Sequence, residues 1–437
     1  SDPAFLANLD CLERLIPLIV HIDGAECYNC QSADITSFSS PFSHGGHVHD
    51  QKLYTLSLLH DSYDHPALAE LVNKVQAELF AWSLGVAEKG IMPSEGFYKE
   101  GFSTSTSRWK NKGQPICGEF KFCYLGFIAD RKAKQEVHKF KRWYRSTQIC
   151  ERDLACACNK NADWTCNYGN MFQSSEWRKT QMSHEQLVAR GDVCSPWQAV
   201  RGFNVFTCFE DLMHVVYMGF ARDFLSSIFC ELVEDTADPE LELRKIKRQY
   251  DTFCKRKGLQ RISRRFTLNL LGRKNKWTYP HLQHSVKACT VKVLISFVAD
   301  LLRKREAPTE HDKVLATAAW ALADFLHVLD HSDFIMGDAD ASAAYTSGNH
   351  FATLYQYLSA EAEHQGRCLF HMRPKVHYFC HLVDDIIRSK INPGRISCMV
   401  SEDFVGKSAR LTSKVHKSTY ALRTLQRYMI VLRKRWK

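Results

Sequence analysis

The chain has 437 residues, of which 45% are hydrophobic, 24% charged and 12% aromatic. That is the composition of a globular protein with material for one large core or two to three domains, and it excludes disordered, collagen-like and low-complexity chains. The net charge of +10 is unevenly placed: Arg244–Lys276 carries thirteen Lys/Arg against Asp251 alone, and Lys407–Lys437 carries ten with no acid, so two basic segments on an acidic body point to a polyanionic partner.

Leu15–Ile22 (LIPLIVHI) is a branched apolar run that reads as a buried strand and stops at Asp23-Gly24. Ala33–Phe42 and Leu53–Leu59 read as two further strands, joined by a His/Gly-rich turn at Ser43–Asp50. Pro66–Glu88 has helical spacing, with Leu68, Leu71, Val72, Val75, Leu79 and Trp82 on one side. Pro66 opens it, where a missing N–H costs nothing. Phe120–Ile128 is a second branched and aromatic run, ending at Ala129-Asp130, and Lys132–Arg145 follows as an amphipathic helix. The β-β-β-α-β-α order predicts an α/β front end over 1–145 in which the first and fourth strands each end in an aspartate.

Within 146–208, Cys150–Cys166 is dense in cysteine and poor in periodicity. From 209 to 395 nearly everything is helical: Leu212–Val233, Leu241–Lys257, Ser285–Arg305, Asp312–Leu329, Ala339–Glu363 and Pro374–Ser389. Val314–Leu329, the longest apolar stretch, carries Thr317, Asp324 and His327, and it falls short of the roughly 20 apolar residues of a membrane span. The closing segment, 396–437, predicts one long basic helix, or two, over Glu402–Trp436. Seventeen cysteines, an odd number, and a start at Ser1-Asp2-Pro3 with no signal peptide predict an intracellular, reducing compartment rather than a disulfide framework. The missing Met predicts a segment of something longer.

An aspartate at the C-terminal tip of a central strand projects into the opening where α/β folds place ligands. Two such carboxylates on adjacent strands repel unless a cation lies between them. Their hard oxygens suit Mg²⁺ or Mn²⁺, and a pair of such ions supports in-line phosphoryl displacement. A third acid would complete the second metal's shell, and Glu402-Asp403 stands at the start of the basic C-terminal helix.

This order of strands, with Asp23 and Asp130, resembles the RNase H-like catalytic core of DDE transposases. The segments HIDGAECYN (21–29), IADRKAKQEVH (128–138), WYRSTQICERDLA (143–155), EDLMHVVYMGFARDF (210–224), RPKVHYFCHLVDDI (373–386) and SEDFVGKSARL (401–411) resemble transposases of CACTA-type elements and their protist relatives. The resemblance implies an RNase H-like core interrupted by a cysteine-rich segment and a large all-α insertion, and closed by a C-terminal helix. It implies a triad of Asp23, Asp130 and Glu402 binding Mg²⁺ or Mn²⁺, with Asp403 the rival for the third place; Glu402 is preferred because Asp403 can cap the helix that follows. It also implies a DNA partner (transposon ends or derived sites), a homo-oligomer on that DNA, no membrane, and a nuclear location. A non-catalytic DNA-binding relic and an RNase H-like nuclease without strand transfer are the competing functions.

Other residues carry weaker expectations. Asp211 and His214 match an Asp-x-x-His pattern of eukaryotic cut-and-paste transposases; they would either orient a phosphate or cap a helix and pack in the core. Cys150, Cys156, Cys158 and Cys166 put four thiols in a short segment, which suits tetrahedral zinc, with free reduced cysteines as the alternative. Cys27 and Cys30 read as packing residues. His377 and His381 lie one turn apart, but a metal site there lacks a visible third ligand. Arg248, Lys255, Arg256, Lys257, Arg261, Arg264, Arg265, Lys407, Arg410 and Lys414 would carry the phosphate backbone. Trp143, Tyr144, Trp277 and Tyr279 would stack on bases or pack in the core.

Overall fold

A computed structural model describes residues 9–28, 31–43, 53–60, 66–157, 166–416 and 419–435. The chain divides into two compact units: Ser1–Trp143, Met182–Phe209 and Cys398–Lys437 form one, and Tyr144–Gln181 with Glu210–Ser397 form the other. The cysteine-rich segment is therefore not a body of its own. Its first half belongs with the helices and its second half with the sheet.

The first unit is α/β. Its strands are β1 (Leu15–Tyr28), β2 (Gln31–Ser39), β3 (Leu53–His60), β4 (Lys121–Ile128) and the two-residue β5 (Cys208–Phe209), in the order β3-β2-β1-β4-β5. The first three pair antiparallel, whereas β4 runs parallel to β1 and to β5. Leu18, Val20 and Ile22 pack on one face against Phe80 and Leu84 of α1 (Pro66–Lys89) and against Trp197. Strand alternation turns Ile19, His21 and Asp23 to the other face. There lies α9 (Met399–Thr412), with α10 (Tyr420–Arg435) beside it through the edge-on pair Phe404–Tyr428.

Three expectations are corrected in this unit. β1 does not stop at Asp23, because its antiparallel ladder with β2 continues through Ala25↔Ala33 to Tyr28↔Gln31; only its pairing with β4 ends there, at His21↔Ile128. The helix after Asp130, α2, covers only Arg131–His138, since Lys139 takes the left-handed conformation (φ 53°) and ends it. β5 was not legible, being two residues long. The C-terminal segment is two helices, as one of the two alternatives had it, but α9 opens at Met399 rather than Glu402. Gly126 lets β5 approach β4: a Cβ there would meet Thr207 O at 2.5 Å and Phe209 Cε2 at 2.3 Å. The turn at 44–50 and Cys30 lie outside the described residues.

The second unit is helical: α3 (Ala221–Glu234), α4 (Pro239–Lys257), α5 (Ala288–Arg303), α6 (Glu310–His331), α7 (Asp338–His364) and α8 (Pro374–Ser389). Caps set the boundaries: Asp238 and Pro239 open α4, Gly258 at φ 66° closes it, and a Thr309–Asp312 capping box opens α6. The helix expected over Leu212–Val233 begins instead as a π-helix, Met213–Phe220, before α3. Phe220, Phe325, Phe351 and Phe379 form the aromatic centre of the unit. Gly348 sits where a Cβ would press into Val383 Cγ2 at 2.5 Å, so α7 and α8 approach closely there. Among the described residues, no helix is long and apolar enough to cross a membrane.

Candidate active site

His21 and Asp23, two residues apart on β1, share the face covered by α9, and Glu402 lies in the first turn of α9. One ligand atom from each of His21, Asp23 and Glu402 lies within 4.8 Å of the others. His21 is buried, while Asp23 and Glu402 are half-buried. They open into a cleft of about 410 Å³ lined by Asp23, Gly24, Glu402, Val405, Gly406, Ala409, Arg410 and Ser413. Two carboxylates this close repel each other, and only a cation or a proton between them removes the cost. The N-terminus of α9 favours the Glu402 charge by roughly 0.3–1 kcal/mol. Arg410, exposed and two turns further along the same helix face, brings a guanidinium to the cleft.

Asp130 follows β4 by two residues, beyond the last β1–β4 pair, His21↔Ile128. Neighbouring strands are about 4.8 Å apart. Yet the Asp130 carboxylate turns to the start of α2, where Oδ1 accepts the Ala133 N–H at 2.6 Å. Among the described residues it is not in the His21–Asp23–Glu402 group. Asp403 does not cap α9: Cys398 occupies the N-cap position, and Asp403 is exposed and pairs with Lys407 at 2.7 Å. His21 escaped the sequence reading, although its place two residues before Asp23 on a strand is the available signal.

In the helical unit, Asp211 Oδ2 accepts both the backbone N–H of His214 (2.9 Å) and its ring Nδ1–H (2.6 Å). The pair fixes the first turn of the π-helix. Arg248, Lys255, Arg256, Lys257, Arg261, Arg264 and Arg265 are all exposed. Arg256 is partly neutralised by Asp300 at 3.1 Å, and Arg264 donates to Ser285 Oγ at 3.0 Å. In the first unit Arg410 and Lys414 are exposed and Lys407 is half-buried. Trp277 is exposed, and Tyr279 stacks on His371 at 4.1 Å.

Among the described residues, Cys150 is grouped with imidazole and carboxylate side chains. Its Sγ lies 3.2 Å from His381 Nε2, in a buried group with Asp153 and His377. Cys156 and Cys166 are half-buried and joined by a backbone hydrogen bond, Cys156 N–H to Cys166 O at 2.9 Å; Cys158 lies outside the described residues. Burial would raise the Asp153 carboxyl, but His377 and His381 hold it well below the usual carboxylate range. Beside it Arg152 is buried and pairs with Asp385 at 2.7 Å and Glu210 at 3.9 Å. Neither a protein-family model nor a curated protein sequence matches the chain.

Proposed function

We propose that the chain is a transposase-like polynucleotidyl transferase on an RNase H-like core, with Asp23, Asp130 and Glu402 as its acid triad. The observation that carries this reading is the meeting of Asp23 and Glu402 in one cleft, although they come from opposite ends of the chain. A sheet-face carboxylate pair with an open side fits hard divalent ions, because it offers oxygen ligands and leaves space for water and a phosphate. Mg²⁺ or Mn²⁺, when bound, would supply activation of a water or 3′-hydroxyl and charge stabilisation on the scissile phosphate.

The chain's own residues do the rest. Asp23 and Glu402 would hold the ions with His21 on the buried side, and Asp130 would have to turn from its helix-cap hydrogen bond to join them. Arg410 at the cleft, with Lys407 and Lys414 on the same segment, binds the phosphates of the entering strand. The exposed run Arg248–Arg265 in the helical unit contributes sequence-independent, salt-sensitive DNA affinity. Assembly as a homo-oligomer on transposon ends or derived sites, in the nucleus, belongs to the same reading.

One observation favours a second reading. Asp130 is engaged as a helix cap, which is also what a non-catalytic, transposon-derived DNA-binding protein would show. Incubation with supercoiled plasmid and pre-cleaved duplex oligonucleotides in Mg²⁺ or Mn²⁺ separates the cases. Cleavage and joining that disappear in Asp23→Asn and Glu402→Gln support the transferase. Cleavage without joining indicates a nuclease, and DNA binding without either indicates the relic. Activity unchanged in both variants overturns the site.

A further inference from the structure

Cys150, Asp153, His377 and His381 form a second site, of different chemistry, inside the helical unit. All four are buried. His377 and His381 are one turn apart on α8 and present their Nε2 atoms to each other at 3.1 Å. Asp153 Oδ2 lies 3.3 Å from His377 Nε2 and 2.9 Å from His381 Nε2. Cys150 Sγ, 231 positions from His381 along the chain, lies 3.2 Å from the same Nε2.

Hydrogen bonds alone do not account for this packing. A ring nitrogen carries either one proton or one lone pair in the ring plane, so it makes one strong hydrogen bond. Here His381 Nε2 faces a sulfur, a carboxylate oxygen and another ring nitrogen, each at 3.2 Å or less. Placing the proton on either Nε2 satisfies one contact and sets the others at odds. A cation at the centre satisfies all of them. Zinc binds His nitrogen and carboxylate oxygen at about 2.0–2.2 Å and thiolate at about 2.3 Å, which places tetrahedral neighbours roughly 3.3–3.7 Å apart. The observed separations of 2.9 to 3.3 Å are close to those edges.

The surroundings are those of a built site. Asp153 keeps Oδ2 on the cluster because its Oδ1 accepts the Ala155 N–H at 2.8 Å, and the Arg152 N–H donates to Cys150 Sγ at 3.3 Å. Such contacts orient ligands and tune their charge. Trp177 meets His377 edge-on at 4.3 Å and His381 at 5.5 Å, closing the site to water.

We infer that Cys150, Asp153, His377 and His381 bind one structural Zn²⁺, which fastens the Cys150–Asp153 loop to α8. Four protein ligands and full burial leave no open position, so the ion is structural rather than catalytic. The mixed thiolate, imidazole and carboxylate set selects zinc over Mg²⁺ or Ca²⁺. This inference stands whether or not the carboxylate cleft is catalytic.

The test uses the full chain. Purified protein should hold about one zinc per chain by elemental analysis, as one closed site requires. Stripping with a chelator should lower the thermal midpoint, and added Zn²⁺ should restore it. Cobalt substitution should give the intense visible bands of a tetrahedral site with a thiolate ligand. Cys150→Ser and His381→Ala should lose the zinc, whereas Cys156→Ser and Cys166→Ser should keep it. If the first two variants do not fold, the wild-type zinc content and cobalt spectrum still decide. Protein that holds no zinc and takes up none overturns the inference. So does zinc that persists in Cys150→Ser and His381→Ala but is lost from Cys156→Ser, which would place it at the cysteine segment.

Discussion

The two proposed metal sites differ in ligand softness, burial and access. The cleft on the sheet has two carboxylates and a histidine, is half-exposed, and opens into about 410 Å³ of space. The cluster in the helical unit has a cysteine sulfur, two imidazoles and one carboxylate, all buried, with Trp177 against it. Hard ligands with an open side leave room for substrate and weak, exchangeable ions. Soft ligands with no open side make an ion part of the fold. On the proposed reading, one region serves chemistry and the other stability.

The contrast is broken most directly by exchanging the damage. Asp23→Asn should abolish most Mg²⁺-dependent strand cleavage, a loss of roughly 10²–10⁴-fold, from several kcal/mol of charge stabilisation at about 1.4 kcal/mol per decade. Its thermal midpoint should hold or rise, because a like-charge contact is relieved. His381→Ala should do the reverse to stability, lowering the midpoint through loss of the metal. A midpoint that collapses in Asp23→Asn would make the cleft structural too.

Asp130 sharpens the comparison because it has both kinds of role. Asparagine caps helices about as well as aspartate, so Asp130→Asn should leave stability nearly unchanged while removing activity. Asp130→Ala should lose activity and also about 1 kcal/mol of stability, measured by denaturant unfolding. Equal stability of the two variants would mean that the Ala133 hydrogen bond contributes nothing.

The smallest expected effect lies in the helical unit and depends on pH. His311 sits between Glu231 (3.2 Å) and Glu361 (2.7 Å). Glu231 first, and then Glu361, hold its imidazolium up to about 9 against the opposing effect of burial. A raised folded-state value means that its stabilisation is complete below the ordinary value of 6.5 and is lost as pH rises through about 9. The midpoint difference between wild type and His311→Gln should therefore be largest in mild acid and close in alkali. A gap that widens with pH would contradict the assignment.

Much of the α/β order was legible because strands and amphipathic helices announce themselves locally: Leu53–His60, Pro66–Lys89, Lys121–Ile128 and Pro374–Ser389 fall within a residue or so of the expected bounds. Asp23 and Glu402 were named together from a strand end, a helix start and the resemblance, whereas the Asp130 carboxylate turns to cap its own helix. What escaped was non-local. Periodicity on α8 shows that His377 and His381 share a face, but nothing local says that Cys150 and Asp153 meet them, since loop closure over 231 positions leaves no mark on composition. The Cys150-x-x-Asp153 and His377-x-x-x-His381 spacings were the available signal; the second was noted, and the first was passed over for the more conspicuous thiols at Cys156, Cys158 and Cys166. The extension of β1 beyond Asp23 was hidden for a related reason: it depends on β2 as a partner, not on its own apolar run.

Manganese binding to the zinc-loaded protein, followed by electron paramagnetic resonance, tests the central claim that the Asp23–Glu402 cleft is a catalytic metal site. Wild type should bind Mn²⁺ saturably, Asp23→Asn and Glu402→Gln should lose that binding, and Cys156→Ser should retain it. Manganese binding that is identical in wild type, Asp23→Asn and Glu402→Gln would contradict the account.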